Sequence, residues 1–114
     1  LVGPAGSVLG LELVADLVEQ GSSNVARAGV PWARMRAADP SRLGAPDEAP
    51  FDRILVSAMA DTMPRELEDQ LAADGILVVP VAGWMLRVRR DAAAPGGVVV
   101  TSHGAYRFVP LVTH

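Results

Sequence analysis

Residues 51–81 read FDRILVSAMADTMPRELEDQLAADGILVVPV, and this stretch decides the fold. The apolar run at residues 53–56 contains a β-branched pair and is too short for a helix, which predicts a strand buried on both faces. The apolar run at residues 76–79 predicts a second buried strand. Two such strands joined through a helix predict a right-handed crossover in a parallel sheet.

The predicted helix lies between these two strands. Pro64 suits its first turn, where the missing N–H costs nothing. Leu67 and Leu71 are four residues apart and would share one buried face. Gly75 is placed to end the helix in the left-handed conformation.

The segments before this stretch show the same order. Residues 8–13 predict a strand, and apolar residues at helical spacing follow until Gly29, which can end a helix. Residues 33–37 predict the next strand. Residues 43–50 contain two prolines and a glycine and predict a loop.

The segments after it have a different pattern. Residues 84–89 end in alternating apolar and basic side chains, as expected of a half-exposed strand. Residues 98–101 predict another strand, residues 102–104 a turn, and residues 107–111 a closing segment. The whole order predicts one α/β domain over residues 1–114: an open, doubly wound sheet of parallel strands with an antiparallel C-terminal edge.

Composition narrows the classes of function. The 114 residues carry a formal net charge of −3, no cysteine and two histidines, which excludes disulfides and thiolate metal sites and leaves no cluster for zinc. The charge does not indicate a nucleic-acid surface, and no apolar run is long enough to span a bilayer. With no signal pattern at the N-terminus, we expect a cytoplasmic protein with no metal and neither nucleic-acid nor membrane partners.

Three polar residues follow the carboxyl ends of predicted strands, where open α/β sheets bind ligands: Glu12, Asp39 and Ser57. Glu12 could accept hydrogen bonds from both hydroxyls of a ribose, or could be a solvated acid that favours the dipole of the next helix. Asp39 could accept from the amine of an adenine, although an ordinary Asp-Pro turn is the simpler interpretation. Ser57 could face a ligand or cap nearby backbone, with equal support.

Nucleophilic catalysis is not indicated, and we predict no catalytic residue. Ser102 and His103 are adjacent in sequence only, and Asp47 and Glu48 are loop acids. A reaction that requires only the positioning of two reactants needs no nucleophile–base pair.

Several motifs, in this order, resemble the protein-L-isoaspartate O-methyltransferase family. LVGPAGSVLGLEL (residues 1–13) resembles the family's turn and second strand, which ends in an acid, and NVARAGV (residues 24–30) resembles a helix end. Ala38-Asp39 resembles the end of its third strand, and GAPDEAPFDRILVSA (residues 44–58) resembles its loop and fourth strand. The Pro-led helix, LVVPV and FVPL (residues 108–111) complete the resemblance, which covers nearly the whole chain.

The resemblance implies a Rossmann-like, S-adenosylmethionine-dependent methyltransferase sheet. By that resemblance Glu12 would hold the cofactor ribose, Leu13 would lie beside the adenine, and Asp39 would meet the adenine amino group. Val109 would line the substrate groove and pair with substrate backbone. The implied reaction moves a methyl group to the α-carboxylate of an isoaspartyl residue in a damaged protein or peptide. That carboxylate is ionised at neutral pH, so its alignment and desolvation would carry the rate.

The sequence also departs from the family. The glycine-rich cofactor loop and the active-site segment would precede Leu1, so we expect a fragment that is inactive alone and exposes an aggregation-prone strand edge beside residues 8–13. We expect the complete protein to be a monomer. Pro40 stands where the family usually has Gly, and because proline has no N–H, the adenine contact there is in question. Val112 stands where the family commonly has a polar residue, so a hydroxyl contact to the cofactor is lost there.

Two alternatives stay open from the sequence. A relative with the same fold could methylate another acceptor, or the chain could be a non-catalytic binding module without a cofactor loop. Binding of S-adenosylhomocysteine tests the cofactor, and methyl transfer to an isoaspartyl but not an aspartyl peptide tests the acceptor.

Overall fold

The structure is a computed structural model that describes residues 6–105 and 109–111. The chain divides into two compact units, Leu1–Gly44 and Ala45–His114, which are called the N-terminal and C-terminal units below. The predicted features at residues 1–5, residues 107 and 108, Val112 and His114 lie outside the described residues.

The N-terminal unit consists of two parallel strands and the helix that joins them. Its elements are β1 (Val8–Glu12), α1 (Ala15–Ala28) and β2 (Ala33–Ala37). The strands pair in register from Val8 with Ala33 to Glu12 with Ala37, so their carboxyl ends lie at the same edge. The strand–helix–strand order predicted for this part of the chain is confirmed.

The α1 helix packs on its sheet through Met35. A Cβ atom added to Gly10 in β1 or to Gly21 in α1 would meet the Met35 side chain. Gly21 costs a helix about 1 kcal/mol relative to Ala, but here the missing side chain leaves room for Met35. Gly29 ends α1 with a φ of 69°, as the sequence predicts.

The C-terminal unit is built on a four-stranded sheet with the order β3-β4-β5-β6. Its elements are β3 (Phe51–Leu55), α2 (Arg65–Glu68), β4 (Leu71–Val81), β5 (Trp84–Arg90), a 3₁₀ turn (Pro95–Gly97) and β6 (Val98–Ala105). β3 and β4 are parallel, whereas the β4–β5 and β5–β6 pairs are antiparallel. The predicted parallel crossover with an antiparallel C-terminal edge is therefore confirmed.

The core of this unit forms where β4 and β5 meet. Leu77 and Val79 of β4 and Val88 of β5 are fully buried, and Leu67 and Leu71 are buried with them. Burying one such aliphatic side chain stabilises a fold by about 1.5–3 kcal/mol, so each of these residues contributes to the stability of the unit.

The helix at the centre of the unit is shorter than predicted. α2 ends at Glu68 and β4 already begins at Leu71, so the prediction that Leu71 lies on the helix and that Gly75 ends it is wrong. The backbone leaves the helix at Gln70, because the Gln70 carbonyl accepts the Phe51 N–H at 2.8 Å and starts the pairing with β3.

Gly75 is required by close packing of backbone rather than by a helix end. A Cβ atom at Gly75 would lie 2.8 Å from the carbonyl oxygen of Ala72 and 3.0 Å from that of Phe51. The positive φ in this segment belongs to Asp74, at 60°.

The prediction that β3 is buried on both faces is wrong. β3 is an edge strand of the four-stranded sheet, and the Leu55 side chain is 74% exposed. The strand that matches the prediction is β4, which lies inside the sheet and buries Leu77 and Val79 completely.

The predicted turn at residues 102–104 is also wrong, because β6 continues to Ala105. Leu86 pairs with Ser102 and Trp84 with Ala105, so a register shift accommodates the extra residue. Gly104 tolerates its φ of 109° within the strand because it lacks a side chain.

Candidate functional site

Glu12 and Asp39 are brought to the same edge of the N-terminal unit. Glu12 is the last residue of β1 and pairs with Ala37, the last residue of β2. The Ala38 N–H donates to the Glu12 carbonyl at 2.9 Å, and Asp39 is the next residue along the chain. Two carboxylates therefore follow adjacent parallel strand ends, the place where α/β sheets bind ligands.

The Glu12 carboxylate is only partly engaged. Its Oε1 accepts the Val14 N–H at 3.1 Å, just before α1 begins. An ionised carboxylate has about four acceptor positions on its two oxygens. Glu12 therefore supports the backbone at the start of α1 and can still accept hydroxyl groups from a ligand.

The Asp39 carboxylate is held by the turn that follows it. Its Oδ1 accepts the Ser41 N–H at 2.8 Å and the Ser41 hydroxyl at 2.6 Å, and the Nε of Arg42 lies 3.5 Å from Oδ2. The two bonds from Ser41 hold the pKa of Asp39 below its ordinary value, with a smaller contribution from Arg42. The Asp-Pro turn that the sequence favours is present, and it leaves Oδ2 as the more open oxygen.

Leu13 is one of three exposed apolar residues that follow the end of β1. Leu13, Val14 and Leu17 all leave large parts of their side chains open to solvent. An apolar surface beside hydrogen-bond acceptors suits the flat face of a purine, whose edge carries the polar groups.

Ser57 and Val109 lie in the C-terminal unit, where Val109 is hydrogen-bonded to Met59, two residues after Ser57 in the chain. Ser57 is exposed and follows β3 by two residues. The Met59 N–H donates to the Val109 carbonyl at 2.6 Å, and the Leu111 N–H donates to the Met59 carbonyl at 2.7 Å. The Val109 side chain is 70% exposed.

The predicted site residues therefore fall into two groups. The structure brings Glu12, Leu13 and Asp39 to one edge of the N-terminal unit, and in the C-terminal unit it joins Val109 to Met59, two residues after Ser57.

Sequence reasoning missed Ser41, Arg42 and Met59 as parts of the candidate site. The Asp-Pro-Ser order was the available signal for Ser41, because an Asp side chain often accepts from the backbone two residues later. Met59 had no such signal, since its role depends on a contact with residues 50 positions further along the chain.

A shallow groove in the N-terminal unit lies apart from these residues. It is lined by residues of α1 and of the segment that leads into β2, among them Val25, Val30 and Met35, and by none of the predicted site residues. Among the residues described, no group of three or more His, Cys, Asp or Glu side chains is arranged to hold a metal ion. No described helix is both long and apolar enough to cross a membrane.

The fold and the edge carboxylates define an α/β protein with a candidate nucleoside site at the ends of parallel strands. Comparison with known proteins identifies the family. Residues 1–114 match the family described as protein-L-isoaspartate(D-aspartate) O-methyltransferase. The chain belongs to this family.

Individual relatives agree with this assignment. A protein-L-isoaspartate O-methyltransferase of Methanocella arvoryzae is 34% identical over 112 residues, which are 98% of this chain and 59% of the relative. The enzyme of the same name from Methanothrix thermoacetophila is 41% identical over 71 residues, or 62% of this chain and 33% of the relative. The chain thus spans between a third and three fifths of these two curated relatives.

A solved structure of a Plasmodium falciparum protein-L-isoaspartate O-methyltransferase, in complex with S-adenosyl-L-homocysteine, shows the same fold. Its TM-score is 0.74 at 24% identity, and the match covers 92% of this chain and 52% of that chain. The predicted Rossmann-like α/β fold is confirmed by this likeness.

Proposed function

We propose that this chain is part of an enzyme that transfers a methyl group from S-adenosylmethionine to the α-carboxylate of isoaspartyl residues in damaged proteins and peptides. Family membership over residues 1–114 supports the proposal. The structural observation that carries it is the placement of Glu12 and Asp39 at adjacent carboxyl ends of a parallel strand pair.

The residues of this edge fit a nucleoside cofactor. Glu12 has acceptor positions left after its bond to Val14, which suits the two hydroxyls of a ribose. Leu13 offers an exposed apolar side chain to a purine face, and the Oδ2 of Asp39 can accept from an amino group. S-adenosylmethionine would supply an electrophilic methyl group, while these residues would bind and orient its adenosyl part.

We propose the second group of residues as contacts to cofactor and substrate. Ser57 is proposed to face the cofactor because it is exposed just beyond the carboxyl end of β3. Val109 is proposed to line the substrate groove with its exposed side chain. Its carbonyl already accepts the Met59 N–H, so side-chain contact is better supported than backbone pairing with a substrate.

The remaining expectations from the sequence belong to the same proposal. We propose that residues 1–114 form part of one methyltransferase domain of a cytoplasmic protein that is monomeric when complete. Its proposed partners are isoaspartyl proteins and peptides. Size-exclusion chromatography with light scattering tests the monomer, and cell fractionation tests the location.

Methyl transfer to matched peptides tests the reaction. The complete protein is incubated with S-adenosylmethionine that carries a labelled methyl group, and with two peptides that differ only in an isoaspartyl or an aspartyl linkage. We expect label in the isoaspartyl peptide alone, as an ester that base hydrolyses. Label in neither peptide, with S-adenosylhomocysteine still bound, would point to another acceptor. If neither peptide is labelled and S-adenosylhomocysteine does not bind, the result would favour the non-catalytic binding module.

Glu12→Gln tests the proposed ribose contact. Gln keeps an acceptor oxygen but loses the charge that strengthens a hydrogen bond, so we expect binding of S-adenosylhomocysteine to weaken about tenfold. Glu19→Gln is the matched control, because Glu19 is exposed on α1 and away from the edge. Equal affinities of the two variants would remove Glu12 from the site.

A further inference from the structure

Trp84 is a large aromatic residue that stands open at the end of the β4–β5 hairpin. It is the first residue of β5, and its side chain is 54% exposed. The turn before it consists of Ala82 and Gly83, and its partner in β6 is Ala105. These neighbours are too small to cover an indole ring, so they leave the ring accessible to a ligand.

Backbone pairing joins this hairpin to the segment that contains Val109. Three pairings form one row across the carboxyl end of β4: Pro110 with Met59, Ala60 with Val81, and Val81 with Trp84. The Gly83 N–H also donates to the Sδ of Met59 at 3.1 Å, which holds the tip of the hairpin against this row. Trp84 and Val109 therefore belong to one connected edge of the C-terminal unit.

The row sets the separation of Trp84 from Val109. Neighbouring strands lie about 4.8 Å apart, so the row places Trp84 roughly 15 Å from the segment that contains Val109. An extended peptide advances about 3.3 Å per residue, so about four residues span this distance. Register partners share one side of a sheet and side chains alternate along a strand, so we expect Val109 and Trp84 on the same side of the row.

A carboxylate stands next to the tip of the hairpin. Asp61 follows Ala60, whose carbonyl accepts the Ala82 N–H at 2.8 Å, so Asp61 comes beside the turn that precedes Trp84. Asp61 is exposed, and within the described part of the chain it has no hydrogen bond or ion pair.

The arginines of β5 that follow Trp84 most closely do not compete for this place. Arg87 and Arg89 lie an odd number of residues after Trp84, so their side chains point to the other face of the sheet. The ring and the carboxylate at the hairpin tip are therefore left for a cation from outside.

An accessible indole and a carboxylate suit a cationic side chain. Tryptophan attracts cations over its ring more strongly than other aromatic residues do, and a carboxylate accepts charge-assisted hydrogen bonds from the same cation. An apolar ligand side chain would gain less, because the small neighbours of Trp84 form no pocket around it.

We propose that Trp84 and Asp61 form a subsite for a lysine or arginine side chain of the substrate, about four residues from the isoaspartyl residue that Val109 contacts. This inference rests on the proposed function, because it concerns another part of the same peptide.

A series of peptides tests the subsite. The complete protein is assayed with isoaspartyl peptides in which one lysine is moved through each position within about six residues on either side. Norleucine replaces the lysine in matched peptides, since it keeps most of the alkyl chain without the charge. We expect a lysine about four residues away, on one side only, to lower KM about fivefold relative to norleucine, with kcat changed by less than about twofold.

Variants of the two residues assign the effect. In Trp84→Ala and in Asp61→Asn we expect the lysine and norleucine peptides to have KM values within about twofold of each other. Trp84→Phe keeps an aromatic face and should retain part of the preference for lysine. Asp52→Asn is the matched control for Asp61, because Asp52 is exposed in β3 and outside the row, and it should retain the whole preference.

Tryptophan fluorescence gives a second measurement that does not depend on turnover. We expect the lysine peptide to change the emission of the unmodified protein and of Trp32→Phe, whereas the norleucine peptide should change it less. In Trp84→Phe the difference between the two peptides should disappear.

The outcomes separate the subsite from the proposed function. An equal change of KM for both peptides in Trp84→Ala, or an equal gain from norleucine in the unmodified protein, would overturn the cation subsite while methylation of isoaspartyl peptides still stands. Absence of methyl transfer to every isoaspartyl peptide would overturn the proposed function and the subsite with it.

Discussion

The side-chain carbonyl of Gln70 accepts the Ala45 N–H at 2.9 Å, and both residues are buried. The backbone carbonyl of Gln70 also accepts the Phe51 N–H at 2.8 Å. One residue thus holds both ends of the loop that leads into β3, and this contact fixes where β3 starts.

We expect Gln70→Met to lower the free energy of unfolding by about 1–3 kcal/mol, because it leaves the buried Ala45 N–H without its acceptor. Urea denaturation measures the change. Gln20→Met is the matched control, since Gln20 is exposed on α1 and should tolerate the same substitution. An equal effect at both positions would show that the bond to Ala45 does not stabilise the loop.

Gly75→Ala should be more harmful than Gly10→Ala. The new methyl group at Gly75 would meet two backbone carbonyl oxygens, of Ala72 and Phe51, which cannot move without displacing strands. At Gly10 the obstacle is the end of the flexible Met35 side chain. We expect a loss of about 1–3 kcal/mol at Gly75 and a smaller loss at Gly10, measured by thermal and chemical denaturation.

Gly29 and Gly75 show why some elements could be predicted and others could not. β1, α1 and β2 follow from local signals, namely apolar periodicity and Gly29 as the helix end, and the structure has them where the sequence predicts. Gly75 carries the same local signal as Gly29. The chain around Gly75 instead belongs to β4, which pairs with β3, and the Nη1 of Arg90 donates to the carbonyl of Leu71 at the start of that strand at 2.7 Å. Such long-range contacts override local propensity.

The candidate site shows the same division. The positions of Glu12 and Asp39 follow from counting residues to the ends of two strands, and the structure places both at one edge. Their hydrogen-bond partners do not follow from counting. Which oxygen of Asp39 stays open depends on the rotation of a side chain in a turn, and Ser41 decides that rotation.

Ala82→Asn should stabilise the hairpin between β4 and β5. Ala82 and Gly83 have φ values of 49° and 93°, so both central residues of the two-residue turn are left-handed. Alanine is strained there, whereas Asn-Gly is the preferred pair for such a turn. We expect the free energy of unfolding to rise by about 0.5–1 kcal/mol. Ala93→Asn, at an exposed position with ordinary φ, should give no gain, and a similar gain there would contradict the strain argument.

Glu68 contains a buried oxygen whose removal should be tolerated. Its Oε1 pairs with the Nη1 of Arg65 at 3.2 Å, whereas its Oε2 is buried and lacks a hydrogen-bond partner among the described residues. Methionine has a similar volume and no such oxygen, so we expect Glu68→Met to raise the free energy of unfolding by about 1 kcal/mol. Chemical denaturation measures this change in the free energy of unfolding.

Arg65→Met provides the contrast for that substitution. It removes the same ion pair but leaves the buried carboxylate without its cation, so stability should fall. If both variants lost stability equally, the ion pair itself, rather than the burial of Oε2, would decide the energetics at Glu68.

The pKa of Asp39 should rise towards its ordinary value of 3.8 in Ser41→Ala, because the serine hydroxyl is one of the bonds that lower it. A carboxyl group with a lowered folded pKa binds fewer protons when folded than when unfolded. Its stabilising contribution is therefore complete above pH 3.8 and is lost as the pH falls through the folded pKa. The Asp39 side-chain carbonyl resonance, followed by NMR as the pH is lowered from neutrality, gives the pKa of Asp39 in the unmodified protein and in Ser41→Ala. Ser23→Ala should leave the Asp39 titration unchanged, and an unchanged titration in Ser41→Ala would show that the serine does not hold the carboxylate in solution.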